Sequence, residues 1–169
     1  MLSINRTFRV CVALIFVLAI LPGVARALPQ AAATERLSVA SDGTQGNGAT
    51  NSPVISADGR YVAFYSFASN LVAEDTNEQD DVFVHDRKSG ATVRVSVASN
   101  GTQAIGGQSE YPDISDDGRV VSFNSYATNL VADDSNGMFD IFVHDRTTGE
   151  TTRVSVASDG TQANGNSYN

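Results

Sequence analysis

The chain has 169 residues, 11 of them basic and 19 acidic, for a net charge of −8, with one cysteine and no tryptophan. This balance argues against nucleic acid and anionic membrane as partners, since both need a basic face. Cys11 stands alone, so no disulfide can form within the chain.

Residues 1–27 read as a secretory signal peptide. Arg6 and Arg9 precede an apolar run from Val10 to Leu21, then Pro22-Gly23, and Ala25-Arg26-Ala27 supplies a small-x-small cleavage site. The run is shorter than the ~20 residues of a bilayer span. Cleavage after Ala27 leaves eight basic against 19 acidic side chains, a net charge of −11. The expectation is a secreted or periplasmic protein, with no membrane contact after cleavage. Residues 28–34 form a Pro/Ala-rich lead-in, expected to be flexible.

Residues 35–51 are expected to supply an outer strand at Leu37-Ser38-Val39 and a linker. Asp42-Gly43 marks a turn, and the Gly-, Asn- and Thr-rich stretch 44–52 reads as a loop. Residues 52–98 then recur as residues 111–157: at a shift of 59, 29 of the 47 positions are identical. A linker spans 99–110, and 158–169 opens a third copy. Repeats of this length point to propellers, solenoids or arrays.

Each repeat reads as four strands. The first is Val54-Ile55-Ser56, ended by Asp58-Gly59. The second runs from Arg60 to Ser66, where Val62 and Phe64 alternate with Tyr61, Ala63 and Tyr65, so both faces are covered. After a long loop from Phe67 to Asp80, Asp81 to Asp86 is the third, followed by a turn at Arg87-Lys88-Ser89-Gly90. In the fourth, Ala91 to Ala98, Val93, Val95 and Val97 alternate with Thr92, Arg94 and Ser96. No segment after residue 28 has a helical period. Repeated four-stranded antiparallel sheets must bury both faces, and radially stacked blades do so while leaving short edges. The fold class is therefore all-β, of β-propeller type and incomplete, with two full repeats and flanking partial ones. A β-sandwich is the alternative, and the tandem near-identity counts against it.

The runs Ile55-Ser56-Ala57-Asp58-Gly59-Arg60-Tyr61-Val62-Ala63-Phe64 and Ile114-Ser115-Asp116-Asp117-Gly118-Arg119-Val120-Val121-Ser122-Phe123 resemble the TolB-type, WD40-like (PD40) propeller repeat. The Asp-[Val/Ile]-Phe-Val-x-Asp strands at Asp81 and Asp140, with Pro53 and Pro112, strengthen the resemblance. It implies a scaffold for protein or peptide partners, or the propeller domain of a larger hydrolase such as a serine peptidase. Propellers typically have four to eight blades. Two repeats are thus expected to belong to a longer protein, or else to self-associate through open blade faces.

Two acidic loops are the candidate metal sites. Asp75, Asn77 and Asp81 align with Asp134, Asn136 and Asp140, in the pattern Asp-x-Asn-x-x-x-Asp. Oxygen ligands on a tight loop suit calcium. An EF-hand is excluded, since its last ligand would fall at the far end of a strand. The competing reading is that Asp75 and Asn77 order the loop through turns. His85 and His144 share one repeat position and read as strand-end residues. No G-x-S-x-G elbow is present, and the abundant carboxylates are duplicated by the repeat or lie in turns, which argues against a glycosidase pair. The chain is thus expected to be non-enzymatic, a binding or structural module without cofactor unless the loops hold calcium. As an alternative it is a calcium-stabilised extracellular repeat protein.

Overall fold

The computed structural model describes residues 33–168. The segment read as a signal peptide and most of the lead-in lie outside the described residues.

The first sheet contains β1 (Thr50–Ile55), β2 (Tyr61–Ser66), β3 (Asp81–Asp86) and β4 (Thr92–Arg94). The second contains β5 (Ser109–Ile114), β6 (Val120–Ser125), β7 (Asp140–Asp145) and β8 (Glu150–Arg153). Each is an antiparallel meander in chain order. These are two propeller-type blades, and they do not close a ring. They lie against each other at the inner end, where β5 packs on β1, β2 and β3.

Alternation along β2 and β6 decides which side chain meets which neighbour. Val62, Phe64 and Phe83 share one face of blade 1 with Ala68, Leu71, Leu37 and Val72. We call this the leading face. Its opposite, the trailing face, carries Ala63, Val82, Val84 and Val95, which pack against Val121, Phe123, Ala127, Leu130 and Phe142 of blade 2. Only Phe123 and Phe142 therefore lie between blades. Phe64 and Phe83 are as deeply buried, at 2% and 0% exposure, but beneath the blade's own loop and Leu37. In each blade the two phenylalanine rings stack, 5.9 Å apart.

Three elements depart from the sequence reading. The first strand starts at Thr50 and Ser109, inside the stretches read as linker. A bulge between Asn51 and Val54, and between Glu110 and Asp113, carries pairing past the proline. Ser52 and Tyr111 sit there at φ 48° and 52°. The fourth strand ends at Arg94 rather than running to Ala98. Ser96 Oγ takes over the pairing by accepting from Val82 N and donating to Asp81 Oδ1, and the chain then turns away. Leu37-Ser38-Val39 is not an outer strand. Val39 makes an isolated bridge to Gln45, repeated at Val97–Gln103 and Val156–Gln162.

These small turns join the blades. Ser99 Oγ accepts from Thr151 N, and Thr151 Oγ1 donates to Val97 O. Ser41, Thr92 and Val39 repeat the arrangement one blade earlier. The linker of each repeat thus clasps the outermost strand of the next blade. At the inner tips, Ala57 N donates to Asp116 O at 3.0 Å. Tyr61 lies over Gly118, between the guanidinium groups of Arg60 and Arg146 at 4.6 and 4.4 Å.

Candidate functional site

The acidic loops draw their residues together, around a cation the sequence reading did not assign. In blade 1, Arg94 Nη1 lies 3.1 Å from both Asp75 Oδ1 and Asp81 Oδ2. Asn77 Nδ2 donates to Asp81 Oδ2 at 2.9 Å and to Ala104 O. In blade 2, Arg153 Nη1 lies 2.9 Å from Asp134 Oδ1 and 3.4 Å from Asp140 Oδ2, with Asn136 donating to Asp140 and Ala163 O. The Arg94 side chain is 10% exposed and that of Asp81 0%. Burial raises the carboxyl of Asp75 above its ordinary value, the Asp81 charge adds to this, and Arg94 opposes it. Asp134 is raised for the same first reason. Asp75, Asn77 and Asp81, the candidate calcium ligands of the first loop, thus gather with the Arg94 guanidinium, and Asp134, Asn136 and Asp140 of the second loop with that of Arg153. Among the described residues, no three His, Cys, Asp or Glu side chains are grouped to hold a metal ion. The turn-forming role falls to the asparagines: Asn77 Oδ1 accepts from Gln79 N, and Asn136 Oδ1 from Met138 N.

His85 and His144 are buried in β3 and β7. Their Nδ1 atoms lie 2.8 and 2.9 Å from Thr92 Oγ1 and Thr151 Oγ1. Each threonine hydroxyl already donates its one hydrogen to the preceding linker's carbonyl, so Nδ1–H is the donor to it. Burial holds both imidazoles below their ordinary value. These are structural relays from blade to linker, one residue before the ends of β3 and β7, where the strands lead into their turns.

A second cluster breaks the repeat. At the inner edge between the blades, the rings of Tyr65 and Tyr111 meet edge to face at 5.6 Å. Asp80 and Glu110 lie beside them, and Ser109 N donates to Asp80 O at 2.7 Å. Burial raises the Glu110 carboxyl, and the charge of Asp80 adds to this. Burial also raises Asp80, with Asp81 adding, and the Tyr65 phenol, with Glu110 adding. Two carboxylates whose charges disfavour each other, flanked by two aromatic faces, suit a cationic group. Blade 2 has Asn124 and Phe139 in place of Tyr65 and Asp80. Phe139 stacks instead on Tyr126 at 4.5 Å. The sequence reading missed this cluster because it followed what the repeats share, while the signal lies where they differ.

The structure is similar to those of TolB proteins. It matches TolB from Acinetobacter baumannii at 20% identity and a TM-score of 0.41, over 67% of this chain and 22% of that one. A protein described as a TolB from Agrobacterium tumefaciens matches at 20% identity and a TM-score of 0.42, over 65% and 34%. The chain thus spans between a fifth and about a third of those structures. No family model and no curated protein matches it.

Proposed function

We propose that the chain is an exported, non-enzymatic interaction module of propeller type that holds a basic peptide segment at its inner edge. The observation that carries this reading is the meeting of Tyr65 and Asp80 of blade 1 with Glu110 and Tyr111 of blade 2, where Tyr65 and Asp80 have Asn124 and Phe139 as their counterparts in the next repeat. A lysine or arginine side chain there relieves the repulsion between the two carboxylates and lies on an aromatic face. The net charge of the chain favours the approach of a basic partner. A non-enzymatic role is supported by the two histidines, which are tied to threonines inside the blades.

The test is fluorescence anisotropy of labelled peptides of equal length, one rich in Lys and Arg, one neutral and one acidic. The basic peptide is expected to bind most tightly, with an affinity that falls as salt rises. Asp80→Asn with Glu110→Gln should weaken it about tenfold or more, since hydrogen bonds to charged groups contribute ~1.5–3 kcal/mol. Equal affinity for all three peptides, or binding untouched by the double substitution, would rule the site out.

A further inference from the structure

The blades differ at the end of the ladder that joins β2 to β3 and β6 to β7. Ser66–Asp81 and Ser125–Asp140 are the last pairs there. One residue beyond each pair stand Phe67 and Asp80 in blade 1, and Tyr126 and Phe139 in blade 2. The backbone sets the first of each alike: Phe67 N donates to Ala49 O and Tyr126 N to Gln108 O, both at 3.1 Å. In blade 2 the two rings then stack, 4.5 Å apart and 20° from parallel, and Phe139 is 3% exposed. In blade 1 the second ring is replaced by the shorter carboxylate of Asp80. Phe67 is left 54% exposed, and among the described residues no other ring stacks on it.

Blade 1 thus keeps one aromatic face of a stacked pair and sets a negative charge where the partner ring would stand. Among the described residues neither Asp80 nor Glu110 has a salt bridge. A group that restores the pair has to be flat and positively charged. A guanidinium is both: it stacks on aromatic faces and donates as a fork to a carboxylate. A lysine ammonium is a compact, strongly hydrated point charge and gains less from a ring face. The chain already makes such a contact within itself, where Arg60 and Arg146 lie over the Tyr61 ring at 4.6 and 4.4 Å.

We propose that the inner edge selects an arginine of its partner, the guanidinium lying on Phe67 in the place that Phe139 takes on Tyr126, with its N–H groups turned to Asp80. This rests on the basic-peptide reading above and makes that site discriminate between the two basic side chains.

Three basic peptides, identical except for arginine, lysine or citrulline at one central position, test it by fluorescence anisotropy. Arginine should bind about fivefold tighter than lysine, and citrulline, flat but uncharged, should bind most weakly. Phe67→Leu, at a half-exposed site, should keep the circular dichroism spectrum and bring the arginine peptide down to the lysine peptide, whose own affinity stays the same. Asp80→Phe, which writes the residue of blade 2 into blade 1, should cover Phe67 and remove the preference as well. Lysine bound as tightly as arginine, with both weakened by Asp80→Asn and Glu110→Gln, would overturn this inference and leave the basic-peptide reading standing. An arginine preference that survives Phe67→Leu would also overturn it, and failure of every basic peptide to bind would overturn the two together.

Discussion

Arg94 and Arg153 sit among the same partners in the two blades, whereas Tyr65 and Asp80 at the inner edge of blade 1 become Asn124 and Phe139 in blade 2. The outer half of the blade is repeated down to individual hydrogen bonds. Ser96 donates to Asp81 and Ser155 to Asp140, both at 2.6 Å. What is repeated in this way belongs to the folding of any one blade. What changes between blades is released from that requirement and is available for a partner.

The largest expected effect breaks the repeated half. Arg94→Met or Arg153→Met leaves two carboxylates buried without their cation, which should cost ~3–5 kcal/mol of stability. Urea denaturation measures it, and similar losses in both blades are expected. Millimolar calcium should raise the melting temperature of the Arg94→Met chain, where oxygen ligands are set free, and leave the unsubstituted chain unchanged. A calcium shift in the unsubstituted chain would give the loops a metal after all.

A smaller effect separates two positions of one turn. Gly59 and Gly118 both have φ +70°, which disfavours any side chain. A Cβ at Gly118 would lie 2.1 Å from the Tyr61 ring, while at Gly59 the nearest atom is 3.7 Å away. Gly118→Ala should therefore cost ~1–3 kcal/mol more than Gly59→Ala, the usual range for overpacking. Combining each with Tyr61→Ala should abolish the difference.

Acid acts on both blades. Burial lowers the folded values of His85 and His144 below the ordinary 6.5. The unfolded chain then binds protons more readily, so stability falls as pH drops through 6.5. Glu35, Asp86 and Arg87 face His85, and Asp145 and Arg146 face His144. Asp75, Asp80, Glu110 and Asp134 act the other way, since their raised folded values favour the protonated fold above the ordinary carboxyl range. Asp86 and Asp145, held low by Arg60 and Arg119, add a second loss below 3.8. Melting temperature against pH should flatten between 6.5 and 5 in a His85→Gln, His144→Gln chain.

The smallest effect sharpens the inner edge. Asp80→Asn and Glu110→Gln, at partly buried positions, should change stability by no more than ~0.5 kcal/mol, and in the stabilising direction because a repulsion and a desolvated charge are removed. Chemical denaturation checks this, and a loss above 2 kcal/mol would make these carboxylates part of the folding framework.

Much of the blade was legible. Asp81–Asp86 and its copy form strands where an apolar run stands between aspartates and a Gly-bearing turn. The alternation of Val62 and Phe64 with Ala63 placed them on opposite faces. The start of β1 was hidden because Thr50, Asn51, Ser52 and Pro53 lack strand character, and a bulge rather than propensity keeps them paired. The end of β4 was overrun because Ser96 fits the alternation, while its hydroxyl replaces the backbone partner. The acidic loops were found, but not their cation. Arg94 falls between Thr92 and Ser96 on what reads as an outward face, and only tertiary folding carries it 19 residues back to Asp75. The duplication of Arg94 and Arg153 in step with the two loops was the signal available.

The middle linker has a consequence for how the molecule comes apart. Gln103 Nε2 donates to Thr76 in the blade behind, its carbonyl accepts from Asn129 in the blade ahead, and Val97 O holds Thr151 at the far edge. A segment riveted on both sides cannot loosen while either blade stays whole. The repeat boundary in the sequence is therefore no boundary in free energy: the coupling between neighbours is built into the connection itself. Slow amide exchange should accordingly run without a break from β3 through the linker into β6, and the two blades should open together as one cooperative unit.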